Sequence, residues 1–280
     1  MKKEYMKKIG DFEFQLMEWE GEKGPIFCIH ALTGNANHFQ LIAKTLAPEY
    51  HVIAYDLRGR GNSSPADLDS GVMKHADDAI AIMDSLGLKN PLLIGHSMGA
   101  YTAAIVAARR PDIRGVVLLD GAGVVTEQDV KNIEPALERI RNIFDQKEDY
   151  IEGAKKSYDS MGLEWNEVLS NSVNHEIGET PDGKFKCKGN PDAIHSDLLS
   201  LMAYPHEEIL PHITCPALLV YAKGILGNAP LYYEQAYDKT KALMKNLDYY
   251  ITEANHFTMM HKEMPDLQST IHNFVNQCFE

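Results

Sequence analysis

The stretch from Pro91 to Ala108 constrains this chain most. An apolar run, Pro91-Leu92-Leu93-Ile94, feeds directly into Gly95-His96-Ser97-Met98-Gly99, and a segment of small residues follows. This reads as a buried strand, a very sharp turn and a helix, with Ser97 at the apex. Glycines two residues to either side suit such a turn, because a Cβ there would collide with the neighbouring strand or helix. The hydroxyl is thereby held over the end of a sheet. The helix behind it offers free backbone N–H groups and a positive dipole end where an oxyanion would form.

The rest of the chain supplies the sheet. A strand over 12–20, a buried strand over 26–29 and a third over 51–56 precede the turn, separated by a helix carrying Phe39, Ile42, Ala43 and Leu46. Val72, Ala76, Ile80, Met83 and Leu86 recur at helical spacing and stop near Gly87. A strand over 113–119 ends in Asp120-Gly121. Apolar runs alternating with amphipathic helices predict an α/β fold, a mostly parallel sheet covered by helices on both faces. His30, Asp56, Ser97 and Asp120 then fall at the carboxyl ends of strands, the edge where ligands gather in such sheets.

From 124 to 210 the rhythm changes. Charge and helix formers dominate, no run resembles a core strand, and helices are expected over 126–140, 149–161, 165–174 and 191–203. Thr180-Pro181-Asp182-Gly183-Lys184 predicts a tight turn flanked by polar extended residues. The strand and helix pattern then resumes, with strands over 217–222 and 249–252 and helices over 231–245 and 266–278. The domain reading is a core of 1–123 and 211–280 with a mainly helical insertion of 124–210.

A formal net charge of −13 argues against a nucleic-acid or anionic-membrane surface. The four cysteines fit no metal or C-x-x-C spacing, and reduced thiols fit a cytoplasmic protein. The basic start, residues 1–8, has no apolar segment behind it, so no signal peptide is expected. No cofactor or metal is implied. The expected partner is a small-molecule substrate, not nucleic acid or a membrane, and a homodimer is left open.

The order of parts resembles the α/β-hydrolase superfamily over nearly the whole chain. His30-Ala31-Leu32-Thr33-Gly34, Asp56-Leu57-Arg58-Gly59-Arg60-Gly61-Asn62-Ser63, Gly95-His96-Ser97-Met98-Gly99 and Asn255-His256-Phe257 carry the resemblance. It implies a triad in the order nucleophile, acid, histidine, which Ser97, Asp120 and His256 follow. It also implies that the insertion caps the active site. The chain departs from the family in two places. His30-Ala31 replaces the usual His-Gly of the oxyanion loop. The loop 223–230, where many members carry the acid, has no carboxylate, whereas Asp120 occupies the alternative family position after the sixth strand. Serine members with that arrangement include certain lactonases and an amidohydrolase acting on small unsaturated amides.

On this reading Ser97 is the nucleophile, made reactive by His256 as general base and then acid. Asp120 orients the imidazole, with Glu253 and Asp248 as fallback acids. The backbone N–H groups of Leu32 and Met98 form the oxyanion hole. His30 braces its loop, and Asp56 and Arg58 fix the Gly59/Gly61 loop. Tyr158, Met161, Trp165, His175, Met202 and Tyr204 are either pocket lining or packing between insertion and core. The expected activity is cleavage of a small carboxylic ester, lactone or amide through an acyl-enzyme. A slow or non-catalytic ligand receptor on the same fold, or a cofactor-free carbon–carbon hydrolase, are the alternatives.

Overall fold

A computed structural model describes residues 2–280, so Met1 at the head of the basic start lies outside the described residues. That start is itself a strand. β1 (Lys2–Ile9) pairs antiparallel with β2 (Phe12–Trp19), and its lysines cover the open edge of the sheet. β3 (Lys23–Ile29) leads through a 3-10 turn, Ala36–Phe39, into α1 (Gln40–Leu46) and β4 (Tyr50–Tyr55). α2 (Val72–Ser85), β5 (Leu92–His96), α3 (Met98–Arg109) and β6 (Gly115–Leu119) follow.

The segment beyond β6 holds α4 (Glu127–Ile140), β7 (Ile143–Phe144), α5 (Lys147–Ser160), α6 (Glu167–Glu176), β8 (Ile177–Glu179), β9 (Phe185–Cys187), α7 (Pro191–Met202) and α8 (His206–Ile209). The chain closes with β10 (Ala217–Ala222), α9 (Asp238–Leu243), β11 (Leu247–Thr252), α10 (Thr258–His261) and α11 (Pro265–Phe279).

The main sheet runs β1-β2-β4-β3-β5-β6-β10-β11 and is parallel from β4 onward. Its central strands are apolar on both faces because both faces are covered. Phe27, Ile29, Val116, Leu118 and Leu219 point towards α2 and α3, while Ile26, Cys28, Val117, Leu119 and Val220 point towards α1 and α11. Strand order reverses at β3. The chain steps from β3 out to β4, then back across to β5, so the loops after β3 and β5 part in opposite directions and leave a crevice.

Two expectations need correction. The insertion is mainly helical, but β7, β8 and β9 form a small sheet of their own, with the 180–184 turn closing the β8–β9 hairpin. The helix expected over 231–245 is broken into a 3-10 turn, Glu234–Tyr237, and the short α9. Tyr232 and Tyr237 are both buried. Five residues apart on one helix they would face about 140° away from each other, so only a broken helix turns both rings inward. Among the described residues no helix is long and apolar enough to cross a membrane. The four cysteines are unpaired.

Candidate active site

The turn between β5 and α3 is as tight as its glycines suggest. A Cβ on Gly95 would come within 2.2 Å of the Gly99 carbonyl oxygen, and one on Gly99 within 2.0 Å of the Ile29 carbonyl oxygen. The first turn of α3 is thereby pressed against the end of β3. Ser97 sits at the apex with φ 54° and ψ −121°, a conformation that costs a residue with a side chain about 1–3 kcal/mol and persists only because the flanking structure enforces it. Its N–H donates to the Leu119 carbonyl at 2.8 Å, which continues the β5–β6 ladder into the turn.

One residue past that ladder, Asp120 leaves β6, also with positive φ. Its carboxylate is buried and fully engaged. Oδ1 accepts from the Ala222 N–H at 3.0 Å and the Tyr237 hydroxyl at 2.8 Å, and Oδ2 lies 2.6 Å from Nδ1 of His256. A carboxylate can only accept there, so Nδ1 carries the proton and Nε2 is left as the basic nitrogen. The fallback acids stand elsewhere. Glu253 pairs with Lys223 at the surface, and Asp248 is exposed on β11.

His256 is held from several sides. Nε2 of His96, the residue before the serine, donates to the His256 carbonyl at 3.0 Å, and the two rings pack with centroids 4.7 Å apart. Phe257 and Tyr232 meet the His256 ring edge-on. Asn255 caps the next turn, its Oδ1 accepting from the N–H groups of Phe257 and Thr258, while its Nδ2 donates to the carbonyls of Met161 and Ile225.

The loop after β3 is fixed through its carbonyls. His30 Nδ1 donates to Ala31 O at 2.8 Å and Nε2 accepts from the Leu57 N–H at 2.9 Å, which sets the neutral tautomer. Burial lowers its pKa to about 4. The Gly34 N–H also donates to Ala31 O. Arg60 Nε donates to Leu32 O at 2.9 Å. The N–H groups of Leu32 and Met98 make no hydrogen bond among the described residues.

Asp56 braces rather than reacts. Oδ1 accepts from the Ala36 N–H, and Oδ2 from the Asn62 N–H and from His175 Nε2 at 2.6 Å. Burial pushes its carboxyl up, but His175 and the backbone donors outweigh that and hold it below the usual range. Arg58 grips Asp78 with both arms of its fork. Of the residues offered for pocket or packing, His175 is thus a tie between insertion and core, Tyr204 packs on Tyr101 and His206, and Met202 faces solvent. A gap of ≈ 10 Å³, room for one water, lies between Thr33, Gly34, Arg60 and Gly61 and the overlying Glu176 and Ile194. Among the described residues no group of three or more His, Cys, Asp or Glu side chains is placed to hold a metal ion.

Tyr237, His96, Asn255 and Arg60, which hold the triad candidates and the loop after β3 in place, escaped the sequence reading. Asn255 alone carried a usable signal, an Asn placed where it can cap the turn after it.

The family model for the alpha/beta hydrolase fold matches residues 24–177, more than half of the chain. The chain belongs to this family. Within the α/β-hydrolase fold, it is 26% identical over 211 residues to a serine hydrolase-like protein of Dictyostelium discoideum, covering 70% of this chain and 59% of that one. It is 27% identical over 128 residues to the 2-(acetamidomethylene)succinate hydrolase of Mesorhizobium japonicum, covering 45% and 46% of the two chains. An sn-1-specific diacylglycerol lipase of Xenopus laevis is 25% identical over 281 residues, covering 96% of this chain and 85% of that one. The first two matches thus span only about half the length of those relatives. A solved structure of E-2-(acetamidomethylene)succinate hydrolase superposes with a TM-score of 0.84 at 20% identity, over 99% of this chain and 100% of that one, which is a likeness of fold.

Proposed function

We propose that this α/β-hydrolase is a serine hydrolase that cleaves a small carboxylic ester, lactone or amide through an acyl-enzyme. The observation that carries the reading is the 2.6 Å bond from His256 Nδ1 to the buried Asp120 carboxylate, on the same sheet edge as Ser97 at its strained turn. The names of the relatives, hydrolases of an amide-bearing succinate and of diacylglycerol among them, agree with the reaction class and differ in substrate.

Ser97 Oγ attacks the carbonyl carbon while His256 Nε2 takes its proton. Asp120 keeps the imidazole in the right tautomer and stabilises the cation that forms. The tetrahedral oxyanion is held by the N–H groups of Leu32 and Met98, each such donor contributing about 3 kcal/mol in comparable sites. Collapse expels the alcohol or amine, which leaves with the proton from His256. Water then repeats the sequence, releasing the carboxylic acid and restoring Ser97.

Residues 124–210 act as a cap on the core of 1–123 and 211–280. The near-complete burial of Ser97, 6% exposed, supports this, since substrate must enter beneath something that moves.

A fluorophosphonate probe tests the nucleophile. The wild-type protein is expected to be labelled and Ser97→Ala unlabelled, and label persisting on the alanine variant would overturn the assignment. A panel of esters, lactones and amides, with Ser97→Ala as control, then identifies the scissile bond. Tight binding without turnover across the panel would favour a receptor instead.

A further inference from the structure

We infer that Asp197, on α7 of the cap, is a positioning residue for the oxyanion hole, acting on Leu32 through the Arg60 guanidinium. This rests on the serine-hydrolase reading above. Nothing in the sequence links the three positions, which lie on the loop after β3, the loop after β4 and a helix of the insertion.

The geometry is a buried relay. Asp197 Oδ2 accepts from Arg60 Nη2 at 2.5 Å, Arg60 Nε donates to Leu32 O at 2.9 Å, and Arg60 Nη1 donates to Arg58 O at 3.3 Å. Arg60 is 3% exposed and Asp197 fully buried. His75 Nε2 stands 3.0 Å from Asp197 Oδ1. Burial raises the Asp197 carboxyl, but Arg60 and His75 together outweigh it and hold the group well below the usual carboxylate range. The planar fork of Arg60 can face two acceptors at a fixed angle, which a lysine could not.

The target of the relay is the peptide geometry around Leu32. A peptide unit is planar and trans, so its N–H points opposite to its C=O. The unit bearing the Leu32 N–H is pinned through Ala31 O by His30 and Gly34, and the next unit is pinned through Leu32 O by Arg60. With both flanking units clamped, the Leu32 N–H has one direction. Releasing Arg60 from Asp197 loosens the second clamp, so the Leu32 N–H keeps its tie through Ala31 O but loses the restraint on the following unit that sharpens its direction. A group aimed at the oxyanion acts more strongly in the transition state than in the ground state, so its loss lowers kcat with little change in KM.

The test compares variants on a short acyl nitrophenyl ester. Asp197→Asn is expected to lower kcat about 10- to 100-fold, with KM within about twofold. Inhibition by phenylboronic acid, which adds to the serine as a tetrahedral anion, is expected to weaken by the same factor. Ser196→Ala removes a different tie between cap and core, the bond from its hydroxyl to Ser70 O, and is expected to leave kcat unchanged. Should Asp197→Asn fail to fold, Arg60→Lys carries the same measurements. Unchanged boronate inhibition in the folded variant, or an equal kcat loss in Ser196→Ala, would overturn the inference. If the wild-type protein takes no label at Ser97, this inference and the hydrolase reading fall together; if it does, only the relay is at stake.

Discussion

Asp120 takes three hydrogen bonds and is buried, so neutralising it disturbs chemistry before it disturbs the fold. In Asp120→Asn the side-chain amide can donate to Nδ1 and favour the wrong imidazole tautomer. The expected result is a kcat loss of about 10³- to 10⁴-fold with an unchanged circular-dichroism spectrum. Tyr237→Phe removes one donor and leaves the Ala222 N–H and His256 in place. A destabilisation of about 1–2 kcal/mol in urea melts and a several-fold fall in kcat are expected. Neither effect should appear in Glu253→Gln, whose carboxylate faces solvent beside Lys223.

At the level of elements, β5, its turn and α3 form one unit made by close approach. Gly99→Ala would force a methyl group onto the Ile29 carbonyl oxygen, so α3 would have to lift from β3. Loss of more than about 3 kcal/mol of stability is expected, read as a large fall in Tm or in soluble yield. This unit was plain in the sequence because steric demand writes itself locally, as glycines at fixed offsets from Ser97. The thread from 12 to 119 was equally plain, since strands buried on both faces must be continuous apolar runs. What stayed hidden was set by contacts distant in sequence. Tyr237 reads as part of a helix because its partner, Asp120, lies past the end of β6, far away in the sequence. Arg60 showed only as a charge between two glycines, its role fixed by Leu32 and Asp197. β1 carries no strand signal beyond its basic charge, because an edge strand needs little apolar surface.

For the whole molecule, the histidines buried around the site decide behaviour in acid. Burial lowers His30 and His261 to about 4, and lowers His38 and His96 well below the ordinary histidine value. An unfolded chain protonates these side chains near pH 6.5, whereas the folded chain keeps His30 and His261 neutral until about pH 4 and His38 and His96 neutral well below the ordinary histidine value. Between those values the unfolded state binds more protons, so stability falls as the pH drops from about 6.5 to 4. His30 and His261 each contribute on the order of 3 kcal/mol to that fall. Urea midpoints measured at pH 7.5, 5.5 and 4.5 should decrease steadily, and a flat series would contradict burial of these rings in the neutral form.

On the proposed reading, placing the acid just after β6 leaves the loop after β10 free of catalytic duty. The loop after β10 keeps its ends fastened, by Gly224 N–H to Ala254 O and by Ile225 O to Asn255, yet its tip around Gly227 and Asn228 is exposed and bears no carboxylate. A short recognition peptide spliced between Gly227 and Asn228 would extend from a loop whose near end, Ile225, is bonded to Asn255, and would interrupt none of the proposed catalytic groups. Capture of that peptide by its binder would load the Asn255 turn through Ile225, so on the hydrolase reading the binder would register as a change in turnover.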